Sequence, residues 1–483
     1  MFGHLIRKEI LDHLLSVRFL ILTGIGALTI WLSLYSGYAD YLARLRDYRL
    51  AQAGTEQRIR QIEEADQVVP YYYWYEVTNI GFFEHKPPTP MSIFIRGLDP
   101  TLGRSISTTG TPQRRLRRSP VEAEPILGVF PPLDLGHVAQ VVLSLFVLLF
   151  IYNAICGEKE NGTLRLVSSY PVPKHLLLLS KFTGICTLSL CAFGLPLLLG
   201  LAVLLWMPQV RITDPEWVRL GGIVVAFLLY LVSCTCAGLF ASCLAHRSAT
   251  SFVILLVYWV TTVVVVPKVS LIAADALRPA PSIHEHQAKR YAIQLQYLRK
   301  WREARRKWHE QHNEEWRRTP EGREAYRRYY LKTRDEILTR QSQPLVDRLN
   351  EDFRNKYDQR TRLAVVLARL SPAFAFRNTV ARLAGTGIDR HQSFEETFIR
   401  NHIRQIYSPW RTEKSERYVL SGIHPAKYGK QKWDLTGIPR FMFQEAGPGE
   451  VLRKALVDVL VLVLWALVFF SGACVSMLRY DVR

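Results

Sequence analysis

The apolar residues of this chain are concentrated in six long blocks that are separated by polar segments of very unequal length. Each block has about 20 residues with few or no charges, which is the length of helix that crosses the hydrocarbon core of a bilayer. The pattern therefore predicts an all-α integral membrane protein with six transmembrane helices. The predicted spans are Phe19 to Tyr38, Gly136 to Cys156, Phe182 to Trp206, Leu220 to Leu244, Ala249 to Ala274 and Ala455 to Met477.

The residues before the first block carry their own pattern. The block is too long, and too closely preceded by Arg7, Lys8 and Glu9, for a cleaved secretion signal, so we expect it to remain as a span. Residues 5–15 place apolar side chains on one side of a helix and charges on the other, which predicts an amphipathic helix in the membrane interface. A plain helical extension of the first span fits the pattern equally well.

The two long polar segments divide the chain into regions. The second of them repeats leucine and aromatic residues at spacings of three, four and seven, which is typical of amphipathic helices, and Pro372 and Gly385 mark the start and end of a further helix. The basic run Arg114 to Arg118 is interpreted as a solvated loop, with contact to lipid head groups as the alternative. The predicted regions are 1–38 (interfacial helix and span one), 39–135 (first outer segment), 136–274 (spans two to five), 275–453 (large helical domain) and 454–483 (span six and tail).

The basic residues of the short loops predict an orientation. Arg7 and Lys8 precede span one, Lys159 to Lys181 separate spans two and three, and Arg479 follows span six. Because lysine and arginine near span ends favour the cytoplasmic side, both termini are predicted to be cytoplasmic, with 39–135 and 275–453 outside the cytoplasm. Lys268, Arg453 and Lys454 lie on the predicted outer side and count against this orientation.

The net charge and the cysteines narrow the class of protein. A formal charge of +20 in a soluble protein would indicate nucleic-acid binding, but most of the surplus lies in the segment 275–453 beside the membrane, so no nucleic-acid partner is expected. All seven cysteines lie in or next to the predicted spans. The chain is therefore not built on a disulfide framework or on a zinc cluster of cysteines.

The sequence has no complete motif for catalysis. Gly157 and Gly162 have the spacing of a phosphate-binding loop, but the lysine and hydroxyl that should follow are missing. His309 and His312 are one residue too close for a zinc-binding helix. We find no nucleophile signature, and the spans lack the ionisable pair expected of a proton relay. We therefore expect no catalytic residue, metal or cofactor in this chain.

The most specific polar pattern is Gly157-Glu158-Lys159-Glu160-Asn161-Gly162-Thr163-Leu164, between spans two and three. It resembles the Gly-Glu-Lys-Glu-x-Gly-Thr-Leu signature of type-2 ABC transporter permeases, particularly the branch of the nitrous oxide reductase maturation and gliding-motility permeases. The resemblance implies six spans, cytoplasmic termini, an N-terminal elbow helix and a cytoplasmic coupling segment, here 157–179. Gly162 is expected to permit a turn there, and Thr163 to cap the helix after it.

The resemblance also implies the residues that couple the permease to its ATPase. They are Gly157, Glu158, Lys159, Glu160, Gly162, Thr163, Leu164 and Arg165 in the coupling segment, with Arg7, Lys8 and Glu9 in the elbow helix. Among them, Glu158, Glu160 and Arg165 are candidates for ion-paired contacts. The implied partners are ABC ATPase subunits that bind ATP and Mg²⁺, a second permease copy or similar paralogue, and the lipid bilayer.

The segment 275–453 is longer than the outer loop of the simplest permeases and resembles a subgroup with a long helical extracytoplasmic insertion of unknown function. The residues that carry this resemblance are Arg96 to Pro100, Ser371 to Ala373, Leu383 to Gly387, and His391 with Phe394. An extracytoplasmic protein partner is therefore a further possibility. The sequence does not identify a substrate.

Three functions follow from these features. The leading expectation is the non-catalytic membrane subunit of an ABC exporter in the bacterial cytoplasmic (inner) membrane, working as a dimer with separate ATPase subunits. The alternative is that ATP hydrolysis moves the large helical domain, which acts on an envelope partner or matures an extracytoplasmic protein without transport. A membrane-anchored scaffold without an ATPase is the third option.

Overall fold

The computed structural model describes residues 2–64, 83–103, 105–108, 114–116, 133–164, 166, 173–312, 316, 318–398 and 441–480. The contacts within the chain separate two compact units. Unit 1 comprises residues 1–265 and 369–483, and unit 2 comprises residues 266–368. The predicted domain 275–453 is thus divided between the two units, and its assignment as one extracytoplasmic domain stays a prediction.

Six helices within the described ranges are long and apolar enough to cross a membrane, and each contains one of the predicted spans. The all-α membrane fold is therefore confirmed. The first helix continues without a break from the span into the charged run up to Glu64. In chain order the spanning helices are Val17–Glu64, Leu135–Glu160, Lys174–Trp206, Asp214–Leu244, Ser248–Leu277 and Pro448–Arg479.

The second and fourth spans form the centre of unit 1. Of their apolar windows, 61% and 67% are buried, against 11% for the fifth and sixth spans, which leaves most of the latter two facing outward. A Cβ atom on Gly238 of the fourth span would overlap with Ile151 of the second span. Small residues of this kind let two membrane helices approach closely. The close packing of these two spans therefore depends on a glycine.

Three of the spans contain a short π-helical segment, in which the helix is locally wider than an α-helix. The segments are Val138–Leu143 in the second span, Leu190–Gly194 in the third and Thr261–Val265 in the fifth. Insertions of this kind shift the hydrogen-bond register and are frequent at functional positions. The segments in the second and fifth spans contact the helix Pro372–Leu383.

The first outer segment contains a small sheet that the sequence analysis did not predict. Strands β1 (Phe83–His85), β2 (Ser105–Thr108) and β3 (Arg114–Leu116) form an antiparallel sheet in the order β1-β2-β3. Ile106 of β2 lies opposite Glu84 of β1 and Leu116 of β3, and its side chain is fully buried. Residues 114–116 therefore form a strand and not the predicted loop, because they pair with β2.

One helix of unit 1 begins and ends at the proline and glycine that predicted its bounds. Pro372–Leu383 begins after Ser371, whose hydroxyl accepts a hydrogen bond from the amide of Phe374 at 3.1 Å, and proline occupies its first turn. It ends before Gly385, which has φ +68°, as the predicted stop requires. The next helix is Ile388–Glu396.

Unit 2 consists of helices, which confirms the amphipathic pattern in this part of the chain. Trp308 is buried, with the ring of His312 stacked on it at 4.2 Å and the ring of Tyr326 tilted against it at 4.8 Å. His309 also packs against Tyr326. These two histidines therefore belong to an aromatic core. The helices are Val266–Leu277, Ile283–Gln311, Pro320–Arg334, the π-helical Asp335–Ser342 and Gln343–Ala368.

Candidate functional site

The predicted coupling residues form a short charged turn, residues 156–164, at the end of the second span. A five-residue helix, Cys156–Glu160, is followed by Gly162 with φ +73°, a conformation that costs little only for glycine. The hydroxyl of Thr163 donates back to the carbonyl of Glu158 at 3.3 Å. Arg165 and residues 167–172 lie outside the described residues, so the predicted cap by Thr163 stays a prediction.

The first charged residue of the turn, Glu158, binds a lysine of the third span. The ammonium of Lys181 lies 2.8 Å from Glu158 Oε1 and 2.8 Å from Glu9 Oε1 of the N-terminal helix. The Lys181 side chain is only 3% exposed. Because one buried cation is shared by two carboxylates, the turn, the N-terminal helix and the third span are joined at a single point.

The second charged residue, Lys159, binds the end of the fourth span. Its ammonium donates to the carbonyl of Cys243 and, at 3.2 Å, to that of Ala245. The last carbonyls of a helix lack intrahelical partners and carry the negative end of the helix dipole. Lys159 also lies over the ring of Tyr480, 4.8 Å from its centroid. It therefore serves as a C-terminal cap for the fourth span.

The third charged residue, Glu160, binds the start of the fifth span. Its Oε2 accepts hydrogen bonds from the backbone amide of Ser248 at 3.0 Å and from the Ser248 hydroxyl at 2.8 Å. The first amides of a helix also lack intrahelical partners, and a carboxylate is favoured at this positive end of the dipole. Lys159 and Glu160 thus match the two opposite helix ends that meet in the short turn between spans four and five.

The remaining residues of the turn anchor it to the bundle. The amides of Ile155 and Cys156 both donate to the hydroxyl of Ser242, at 2.9 and 3.1 Å. The amide of Gly157 donates to the carbonyl of Asn153 at 3.0 Å. Leu164 is fully buried in an apolar cluster formed by spans two, three, four and six. Both ends of the turn are therefore fixed, while Asn161, Gly162 and Thr163 are exposed between them.

The N-terminal helix, Phe2–Leu14, is separate from the first span, which begins at Val17. It faces the third span, where a Cβ atom on Gly184 would lie 3.1 Å from Glu9 Cβ. Its outer side exposes Arg7 and Lys8 together with Leu11 and Leu14. The interpretation as a plain extension of the first span is therefore wrong, because the helix ends before Leu15 and packs on another span.

The elements around the turn also supply residues that the sequence analysis missed. Lys181, Ser242 and Ser248 hold Glu158, the start of the turn and Glu160, and Lys174 donates to the carbonyl of Tyr480 at 2.8 Å. The only signal in the sequence for Lys181 was its position directly before a long apolar block. Glu158 does form an ion pair, but its partner belongs to this chain.

The opposite end of unit 1 brings together two of the segments on which the subgroup resemblance was based. Gly97 has φ +53°, and the next amide, of Leu98, donates to the carbonyl of Thr386 at 2.9 Å. Burial alone raises the pKa of Asp99, but the Lys86 ammonium at 2.7 Å and the guanidinium of Arg44 outweigh this effect and hold the pKa below its usual range. The Arg96 to Pro100 segment is therefore a fixed structural element.

One ionisable residue inside a span was overlooked. Asp458 lies in the predicted sixth span, is fully buried, and forms an ion pair with Arg369 at 2.6 Å. This is not the pair of ionisable residues within the spans that a proton relay would need, because the arginine comes from a segment outside the spans. Across the described parts of the chain, no group of three or more histidine, cysteine, aspartate or glutamate side chains converges as a metal site would require.

Comparisons with known proteins all match ABC transporter proteins. A family model described as ABC-2 family transporter protein matches residues 4–482. The chain is also similar to two proteins named probable ABC transporter permease protein NosY. The protein from Stutzerimonas stutzeri is 35% identical over 108 residues, 22% of this chain and 36% of the relative. The protein from Pseudomonas aeruginosa is 39% identical over 82 residues, 16% of this chain and 29% of the relative.

Proposed function

Because this chain belongs to the ABC-2 transporter family and is the membrane subunit of an ABC transporter, we propose that its charged turn transmits movement from a separate ATPase subunit to the membrane spans. ATP and Mg²⁺ bind to that ATPase, and this chain contributes no catalytic residue. The matched stretches cover about a third of the relatives, so the mechanism and substrate proposed here rest on the residues of this chain.

The observation that carries the proposal is that one short turn holds four other elements. Glu158 reaches the N-terminal helix and the third span through Lys181, Lys159 binds the fourth span, and Glu160 binds the fifth. Charge-assisted hydrogen bonds are short and directional, so a displacement of the turn moves these elements together. A single push at the exposed tip is thereby distributed over the bundle.

The geometry divides the predicted coupling residues into two groups. Glu158, Lys159 and Glu160 are engaged within the chain and transmit force, whereas the tip, Asn161 to Thr163, is free to meet the ATPase. Arg7 and Lys8 of the N-terminal helix are exposed and offer a second contact. Arg165 keeps its predicted role in ATPase contact, and its position is outside the described residues.

The proposal includes an orientation. The turn end of the bundle and both termini face the cytoplasm of a bacterial cell, and residues 39–135 and 275–453 lie outside it. The basic residues of the short loops support this orientation through the positive-inside bias. The transporter contains a second permease copy or a similar paralogue, as the resemblance to type-2 ABC permeases implies.

The direct test is site-specific photo-crosslinking in cells. A photoreactive residue at Asn161 is expected to capture an ATPase subunit, whereas one at Thr101, an exposed residue at the opposite end of unit 1, is expected not to. The double variant Glu158→Gln/Glu160→Gln is expected to retain the ATPase and to lose stimulation of ATP hydrolysis. Capture of the ATPase at Thr101 and not at Asn161 would contradict both the orientation and the coupling site.

Export of an unidentified substrate is the leading function, and mechanical action on an envelope partner is the second. The second is supported by unit 2, a helical body with its own aromatic core around Trp308, which is more polar mass than an export path requires. A substrate that accumulates inside cells lacking the protein supports export. Co-purification of a stable envelope protein that is lost when residues 283–368 are deleted supports the second function.

A further inference from the structure

The helix Pro372–Leu383, called the hub helix below, contacts four spans with polar or aromatic side chains. It belongs to unit 1 and lies at the end of the bundle opposite the charged turn. Seven of its twelve residues have apolar side chains other than proline, which explains its burial, but its polar and aromatic side chains determine which spans it holds.

The contact with the second span is a doubly hydrogen-bonded ion pair. The guanidinium of Arg377 donates to both carboxylate oxygens of Asp134, at 2.6 and 3.0 Å. Asp134 is fully buried and also accepts the amides of His137, at 2.7 Å, and Arg96, at 3.0 Å. Because the same carboxylate caps the first turn of the second span, the hub helix is attached to the very start of that span.

The contact with the sixth span uses Asp458, which is fully buried. Asn378 of the hub helix donates to it at 2.9 Å, and Arg369, just before the helix, donates at 2.6 Å. Arg382 lies 3.5 Å from the same carboxylate and donates to the carbonyl of Lys454 at 2.8 Å. A lone carboxylate within a membrane span is costly unless it is paired, so these partners are required for the sixth span to hold its position.

The contacts with the fourth and fifth spans complete the set. The ring of Phe376 stacks on that of Tyr230 in the fourth span, with centroids 4.6 Å apart. The hydroxyl of Ser371, which caps the hub helix, also donates to the carbonyl of Thr262. Thr262 lies in the π-helical segment of the fifth span, where the wider turn changes the register of backbone hydrogen bonds.

We propose that the hub helix is the outer coupling element of the transporter and that Arg377 and Asp458 are positioning residues for it. The inference rests on the proposed function. The second span is held at one end by the Glu158–Lys181 pair and at the other by the Asp134–Arg377 pair. Because the second span is fixed at both ends, it carries a displacement from one pair to the other, and the hub helix passes it on to the fifth and sixth spans.

The test is hydrogen–deuterium exchange on the intact transporter, purified in lipid nanodiscs with its ATPase, without nucleotide and with ATP and vanadate. In the wild type we expect ATP to change exchange both in the charged turn, 156–164, and in the hub helix. In Arg377→Gln the change at the turn persists, and the change at the hub helix falls by about 5-fold or more, the lower range of allosteric coupling. Arg377→Lys is expected to restore part of it.

The matched control is Arg360→Gln in unit 2. Arg360 forms an ion pair with Asp275 at 2.8 Å and is 23% exposed, close to the 26% of Arg377, although Asp275 is exposed and Asp134 is buried. This variant therefore removes an arginine of similar exposure and should keep the response of the hub helix. Should Arg377→Gln fail to assemble, Asp458→Asn tests the other end of the hub helix with the same expectation.

Two outcomes would separate this inference from the proposed function. If ATP changes exchange at the turn but not at the hub helix in the wild type, or if Arg377→Gln and Asp458→Asn both keep the full response, the hub helix is not the coupling element. If ATP leaves the turn itself unchanged in the wild type, the proposed function of the turn is wrong, and the inference falls with it.

Discussion

The ammonium of Lys181 donates to a carboxylate oxygen of Glu158 across 2.8 Å, which ties the charged turn to the third span. The same ammonium binds Glu9 of the N-terminal helix at the same distance. Because Lys181 is almost fully buried, little water is available to solvate its two carboxylate partners in place of the lysine. The pair therefore connects the two elements that the family resemblance assigned separately to ATPase contact.

Replacement of Lys181 by methionine keeps most of the length of the side chain and removes its charge. Because removing one partner leaves buried carboxylates without a cation, we expect a loss of roughly 3 kcal/mol in the free energy of unfolding. Thermal unfolding of the purified permease measures it. The control is Lys289→Met, which removes an exposed pair with Glu285 at 2.6 Å and should cost less than about 1 kcal/mol. Equal losses would show that Lys181 is not an anchor.

The apolar pattern was enough to place the spans, but it could not identify what the charged turn binds. Lys181, the carbonyl of Cys243 and Ser248 lie 23, 84 and 88 residues from their partners in the turn. A local pattern contains no information about contacts over such distances. The glycine and proline signals, in contrast, act within one turn of backbone, so the roles of Gly162 and Pro372 were predictable.

Asp458, at the other end of the bundle, also has distant partners that a local sequence pattern does not reveal. One carboxylate in an apolar block changes little in the hydrophobic pattern, so the sixth span was still recognised. The partners that make this residue tolerable, Arg369 and Asn378, are 89 and 80 residues away. The sequence therefore predicted the span and missed the ion pair that fixes its position.

Two glycines with positive φ provide a matched pair of substitutions. Alanine at Gly97 would place its Cβ 2.5 Å from Thr386 Oγ1 and 2.7 Å from the Thr386 carbonyl, whereas alanine at Gly162 meets nothing within 4 Å. Both variants incur the strain of a left-handed conformation, about 1–2 kcal/mol. Gly97→Ala adds a clash with backbone and is expected to lower the melting temperature clearly more than Gly162→Ala. A larger effect at Gly162 would contradict the close approach of residues 97 and 386.

Glu84 gives a prediction for pH. Burial raises the pKa of Glu84 from its ordinary value of 4.5 to about 7. The folded state therefore binds this proton more tightly than the unfolded state, so its cost to stability is absent below pH 4.5 and complete above pH 7. Relative to Glu84→Gln, the wild type should lose up to about 3 kcal/mol over this range. Melting curves of both proteins between pH 4.5 and 8 measure the difference, and a constant difference would contradict the burial of Glu84.

The packing of the second and fourth spans predicts opposite effects for two glycines of one helix, Asp214–Leu244. A Cβ atom at Gly238 would overlap with Ile151, which lies in the core of the bundle, so Gly238→Ala is expected to cost about 1–3 kcal/mol through overpacking. A Cβ atom at Gly221 meets nothing within 4 Å, so Gly221→Ala should be neutral or stabilise the helix by up to about 1 kcal/mol. Thermal unfolding in the same detergent compares the two variants.

The same pair of variants predicts an effect on activity. Because the second span joins the charged turn to Asp134, Gly238→Ala should also weaken ATPase stimulation, while Gly221→Ala leaves it unchanged. Equal behaviour of the two variants would show that the spans do not depend on this close approach.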